Sequence, residues 1–217
     1  MQLYVVRHGR TQWNADGRLQ GASDIPLNAD GRDQIARTAH ALAPLLPADS
    51  TVVSSPLVRA ADTAQAIGSA AGLDVAFDPR FQERAYGVWE GLTIAEREAT
   101  YPDQMKVWRG GGEPQIDGYE THAQVTARVI AGIEEWAQRA DSTLVVVAHG
   151  SAITQGLHAL LDLRATPRTL EPLDNAQWSR LQRRNDGRWT LERHGIGPDT
   201  VGDRLNGLSS VTTAVNS

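Results

Sequence analysis

Three apolar runs in this chain do not alternate with polar residues: LYVV at 3–6, TVVSS at 51–55 and TLVVVA at 143–148. A strand with one wet face alternates. A strand that is apolar at every position is covered on both faces, as in parallel sheets sandwiched between helices. The intervening stretches carry helical spacing. In 30–46, Ile35, Ala39, Leu42 and Leu45/Leu46 share one face, with Asp30 the expected N-cap. Residues 58–72 read as a helix closed by Gly72, and 74–78 as a third strand. Short helices are expected at 92–101 and 102–108, a loop at 109–118, a long amphipathic helix at 121–140 and another helix at 151–162. Residues 176–184 and 188–195, split by Asn-Asp-Gly, read as a hairpin.

This order predicts an α/β fold. The expected architecture is a three-layer α/β/α sandwich, its central sheet mostly parallel with an antiparallel C-terminal edge strand. No linker composition divides the chain, so 1–197 is expected to be a single domain with an insertion at about 92–120 over one rim. The polar, weakly patterned stretch 198–217 is expected to be a tail, frayed or lying as a strap on the body.

Composition bounds the function. With 21 Lys and Arg against 26 Asp and Glu, the 217-residue chain has a net charge of −5. That argues against a nucleic acid or an anionic membrane as the main partner, so any anion site must be a local cluster of positive residues. The absence of cysteine excludes disulfides, thiolate nucleophiles and thiolate-bound zinc. No leader pattern and no run of 18 apolar residues is visible, so the expected location is the cytoplasm. A homodimer is an expectation from the base rate of soluble oligomers alone.

Two strands end alike, LYVVRHG at His8 and TLVVVAHG at His149. In open parallel sheets, ligands bind outside the carboxyl ends of the strands. If the two strands are parallel and close, both imidazoles project into one crevice, and Gly9 and Gly150 let the backbone turn sharply there. The helix from 151 would aim its free N–H groups at the same place, which favours an anion. The third strand end, VVSSPLVRAADTA, brings Arg59 on the next helix. Arg7, His8, Arg59 and His149 then converge, and their natural guest is a tetrahedral dianion such as phosphate. Metal binding is the competing reading of the six histidines (8, 40, 122, 149, 158, 194). None of the spacings HxH, HExxH or paired acid and histidine is present, so no metal site is expected.

At this point four stretches, RHGRTQWN…GRLQG, SSPLVRAADTA, ERAYGVWEG and VVVAHG, taken in order and spacing, resemble the histidine phosphatase superfamily, also called phosphoglycerate mutase-like. The resemblance runs from about residue 3 to about 195, and DNAQW at 174–178 resembles a fifth stretch. It implies that His8 is the nucleophile that becomes a phosphohistidine, and that Arg7, Arg59 and His149 bind the transferring phosphoryl group. It makes Glu83 the general acid that protonates the leaving oxygen and then activates water. Asn14, Gln20, Gly21, Tyr86 and Gly150 are implied on the substrate side, and neither a metal nor a cofactor is implied.

The departures from the family pattern discriminate. Arg10 stands where relatives usually carry Glu or Gln; it either pairs with a surface acid or adds charge for an unusually anionic substrate. The mutases carry Lys where this chain has Ile94, and an Arg-Arg pair where it has Arg109-Gly110. Those side chains hold the carboxylate and distal phosphate, so their loss favours a phosphatase acting on a small phosphorylated metabolite, a sugar phosphate or phosphoglycerate derivative. Mutase-type phosphoryl transfer and a non-catalytic phospho-ligand module are the alternatives. Trp89, Trp108, Tyr119 and His122 either rim a sugar- or glycerate-sized site or simply pack.

Overall fold

The apolar runs form one six-stranded sheet. β1 (Gln2–Arg7), β2 (Thr51–Ser54), β3 (Val75–Phe77), β4 (Thr143–Ala148), β5 (Trp178–Arg183) and β6 (Trp189–Ile196) lie in the order β3-β2-β4-β1-β5-β6. The computed structural model describes residues 1–163 and 170–197; the expected tail at 198–217 lies outside the described residues. β3, β2, β4 and β1 pair in parallel, whereas β5 and β6 run antiparallel. The late hairpin supplies the antiparallel edge, as expected: β5 pairs antiparallel with β1, and β6 pairs antiparallel with β5 and forms the outer strand.

Successive residues of the central strands point to opposite faces and enter two separate cores. Leu3, Val5, Leu144 and Val146 pack with Val125, Val129, Ile133, Ile153 and Leu157. Those partners belong to α6 (His122–Arg139) and α7 (Gly150–Leu160). Tyr4, Val6, Val145 and Val147 pack with Ala39, Leu42, Ala60, Ala64 and Ile67 on the other face. These lie on α2 (Ala29–Leu42) and α3 (Val58–Ala71). All six residues of β4 are buried, which explains its lack of alternation. Burying each of its Leu and Val side chains stabilises the fold by about 1.5–3 kcal/mol.

Two local expectations need correction at α2. Its N-cap is Asn28, whose side chain accepts from the Gly31 N–H at 2.8 Å; Asp30 sits in the first turn. The helix stops at Leu42, and residues Ala43–Leu45 form a 3-10 turn. Pro44 is the cause, because it has no N–H to continue the helical ladder. A four-residue helix α1 (Gln12–Ala15), missed in the sequence, follows His8 and carries a capping box between Thr11 and Asn14. Within 92–120, α4 (Ile94–Thr100) and α5 (Pro102–Arg109) sit over the rim, tied back by bridges Arg18–Thr93 and Tyr86–Tyr119.

The start of α2 presses on the segment that follows His8. Asn28 N–H donates to the Arg10 carbonyl at 3.0 Å, and Arg10 N–H donates to Gln34 Oε1 at 2.9 Å. At Gly31 an added Cβ would overlap the Arg10 backbone. Gly31→Ala should therefore cost about 1–3 kcal/mol through overpacking. Urea unfolding checks this, and a wild-type midpoint would refute the close approach.

Candidate active site

β1 and β4 end side by side, with Arg7 opposite Ala148, so the next residue of each strand is a histidine in the same crevice. The His8 and His149 ring centroids are 5.1 Å apart, and both side chains are buried. His8 is pinned from several directions. Its N–H donates to the Ala148 carbonyl at 3.1 Å, and its carbonyl accepts from Ala176 N–H at 3.1 Å and Asn175 Nδ2 at 3.0 Å. Its Nδ1 lies 2.7 Å from the Gly9 carbonyl. A carbonyl oxygen only accepts, so Nδ1 carries the proton and the lone pair is on Nε2.

His149 is oriented by Ser55, whose hydroxyl lies 2.8 Å from Nε2. Leu57 N–H already donates to that hydroxyl at 3.3 Å. The Ser55 contact engages Nε2 and leaves Nδ1 of His149 as the ring nitrogen without a partner among the described residues. Burial comes first in holding both imidazoles well below the ordinary histidine value of 6.5; Arg59 and Arg7 add to this by repelling a further positive charge.

The two arginines are held by backbone carbonyls. Arg7 Nη1 donates to Leu173 O at 2.6 Å, while Arg59 donates from Nη1 to Ser23 O at 2.7 Å and from Nη2 to Gly21 O at 2.8 Å. Gly21 has φ of +56°, a conformation that frees its carbonyl to face Arg59. Glu90 fixes this loop by accepting from the N–H groups of Ala22 and Ser23, each at 3.0 Å, and from the Ser23 hydroxyl at 2.8 Å. Burial lowers the pKa of both guanidinium groups, and the Glu83 carboxylate opposes the shift. Arg7 Nε, Arg59 Nε and His149 Nδ1 are buried with no hydrogen-bond partner among the described residues.

Glu83 alters one expectation. The N–H groups that open α7 do face the crevice, but Glu83 occupies two of them. Its Oε2 accepts from Ser151 N–H and its Oε1 from Ala152 N–H, each at 3.1 Å, and Oε1 also accepts from Arg84 N–H at 2.9 Å. The anion at this helix N-terminus is the protein's own carboxylate. The Arg84 guanidinium turns away, to the Glu120 carbonyl at 2.5 Å and the Glu113 carboxylate at 3.3 Å. Beside Glu83, burial pushes the Tyr86 phenol above the usual range, and the Glu83 carboxylate adds to the shift.

The structure thus brings Arg7, His8, Arg59, Glu83 and His149 together. Asn14 and Gln20 stand just behind: Asn14 Oδ1 accepts from Asn175 at 3.2 Å, and Gln20 Oε1 accepts from Thr11 Oγ1 at 2.9 Å. Gly150 opens α7, where a Cβ would meet the Arg7 guanidinium carbon at ordinary contact, 3.6 Å. Arg10 faces outward, 3.8 Å from Asp30. Trp89 is core, while Trp108 is 39% exposed and stacks with Arg97. Tyr119 stacks edge-on against Trp89, and exposed His122 pairs with Glu113, so the four do not form one rim. Among the described residues no group of three or more His, Asp or Glu is placed to hold a metal, and no helix is long and apolar enough to cross a membrane.

Fold and site together define a phosphoryl-handling α/β enzyme, and the comparisons with known proteins give the family. The family model "Histidine phosphatase superfamily (branch 1)" matches residues 3–197, and the chain belongs to that family. It is 34% identical to the glucosyl-3-phosphoglycerate phosphatase of Mycolicibacterium vanbaalenii, over 94% of this chain and 98% of the relative. It is 32% identical to a probable phosphoglycerate mutase GpmB of Salmonella paratyphi C, over 94% and 93% of the two chains. The structure of a mycobacterial glucosyl-3-phosphoglycerate phosphatase in complex with VO3 superposes with a TM-score of 0.79 at 33% identity, covering 90% of this chain and 99% of that one.

The buried imidazoles tie stability to pH. Unfolded, each binds a proton below about 6.5; folded, each does so only at much lower pH. Acid therefore favours the unfolded chain, and stability present above pH 6.5 is lost as pH falls, by up to about 1.4 kcal/mol per pH unit for each histidine. Urea midpoints measured from about pH 7 down to 5 should fall, and His149→Gln should flatten the slope. A midpoint independent of pH over that interval would contradict the neutral, buried rings.

Proposed function

We propose that this histidine phosphatase is a phosphomonoesterase that works through a phosphohistidine on His8. The observation that carries the reading is the Nδ1–H···Gly9 hydrogen bond at 2.7 Å, which leaves the Nε2 lone pair of a neutral imidazole among Arg7, Arg59 and His149. Nε2 attacks phosphorus as the bond to the leaving oxygen breaks, and Glu83 supplies that oxygen with a proton. Water then attacks phosphorus, Glu83 takes its proton, and the N–P bond breaks to release phosphate and restore His8. Arg7, Arg59 and His149 neutralise the equatorial oxygens throughout, which is most of what phosphoryl transfer asks of a protein. Asn14, Gln20, Gly21, Tyr86 and Gly150 shape the substrate side.

The substrate is a small phosphorylated metabolite, a sugar phosphate or phosphoglycerate derivative. The names of the mycobacterial relatives support this, as do Ile94 and Gly110 in place of the cationic groups of the mutases. The enzyme acts in the cytoplasm as a homodimer, with no resident cofactor or metal.

His8→Ala should fold, by circular dichroism, and lose at least about a thousandfold in hydrolysis of p-nitrophenyl phosphate. Undiminished turnover would end the proposal. With 3-phosphoglycerate, phosphate release should outrun interconversion with 2-phosphoglycerate in the presence of a bisphosphate primer. The reverse would make the chain a mutase, the reading suggested by the name of the Salmonella relative.

A further inference from the structure

A cleft of about 440 Å³ opens against Glu83. Ala22, from the loop whose carbonyls hold Arg59, forms one side; Gln82, Tyr119, Glu120, Gln124 and Arg128 line the others. Its size lies within the range of roughly 300–1,000 Å³ that holds small ligands. Its one basic side chain is fully committed. Arg128 donates from Nε to Glu120 Oε1 at 2.6 Å, from Nη1 to the carbonyls of Arg80 and Gln82, each at 2.7 Å, and from Nη2 to Glu120 Oε2 at 2.8 Å and Glu83 O at 3.2 Å. These five bonds use all five guanidinium N–H groups. Glu120 is equally engaged, since Oε2 also accepts from Ala85 N–H at 3.3 Å.

What stays free is neutral and polar. The Gln82 carboxamide makes no hydrogen bond to another described residue. Gln124 uses only its Oε1, which accepts from Thr121 N–H at 2.8 Å and Thr121 Oγ1 at 2.9 Å, leaving its NH₂ group. A second phosphate or carboxylate entering this cleft would lose water and gain no counter-charge. Hydroxyl groups, which donate and accept, match carboxamides. Glu83, the residue that is to protonate the leaving oxygen, and Ala22, from the loop that holds Arg59, both line the cleft, so the leaving group is what reaches it.

Resting on the phosphatase reading above, we infer that this cleft is a subsite for a neutral, polyhydroxylated part of the leaving group, a sugar ring, with Gln82 and Gln124 as specificity-determining contacts. It does not receive a second anion. Steady-state hydrolysis of glucosyl-3-phosphoglycerate and of 3-phosphoglycerate tests this, because the two esters differ only by the neutral glucosyl group. The wild-type enzyme should favour the glucosylated ester in kcat/KM by about tenfold or more. Gln82→Leu should cut that ratio about three- to tenfold, the worth of one neutral hydrogen bond. Ala22→Leu, which narrows the cleft, should also lower the ratio. No preference in the wild-type enzyme, or a ratio unmoved in both variants because the two esters decline together, would overturn the inference. If the wild-type enzyme hydrolyses neither ester nor phenyl phosphate, the phosphatase reading falls and takes this inference with it.

Discussion

Six residue pairs, from Gln2–Thr143 to Arg7–Ala148, hold β1 parallel to β4, and their register decides where two imidazoles emerge. A one-residue slip would turn every side chain of β1 to the other face and carry His8 out of reach of His149. β2 pairs with the other edge of β4, which brings Ser55 to His149 and sets Arg59 on the first turn of α3. The crevice is a consequence of strand order: β4, late in the sequence, lies between β1 and β2.

That placement creates an electrostatic problem, because two guanidinium groups and two imidazoles share a buried space. The imidazoles respond by staying neutral. The arginines cannot, and they are compensated by the carbonyls of Gly21, Ser23 and Leu173 and by the nearby Glu83 carboxylate. Arg7 Nε, Arg59 Nε and His149 Nδ1 are without a partner among the described residues even so. Buried donors without partners are costly in a folded protein, and a dianion able to engage several of them relieves that cost. A phosphate group offers acceptors that match these donors.

Most of this was legible in the sequence because strand ends and periodicity are local signals. Unalternating runs located the parallel strands, and Arg-His-Gly and Ala-His-Gly located the crevice. Signals that depend on distant pairing were not legible. Ser55, Glu90 and Asn175 lie in stretches that carry the family resemblance, but their tasks, like that of Arg128, are set by partners far along the chain and are not visible locally. Asn28 displaced Asp30 as the cap because both are capping residues two positions apart and packing at Gly31 selects between them. Trp89 looked like a candidate for the ligand rim but packs in the interior, as large aromatics usually do.

The central claim is that Nε2 of His8, and no other ring nitrogen, carries the phosphoryl group. Rapid quenching of the enzyme during turnover of p-nitrophenyl phosphate, under alkaline conditions that preserve the N–P bond, followed by peptide mapping and phosphorus–nitrogen correlation NMR, measures this directly. A phosphoryl group on Nε2 of His8 is the predicted result. A phosphoryl group on His149 or on Nδ1 of His8, or turnover with no phosphorylated histidine, would contradict it.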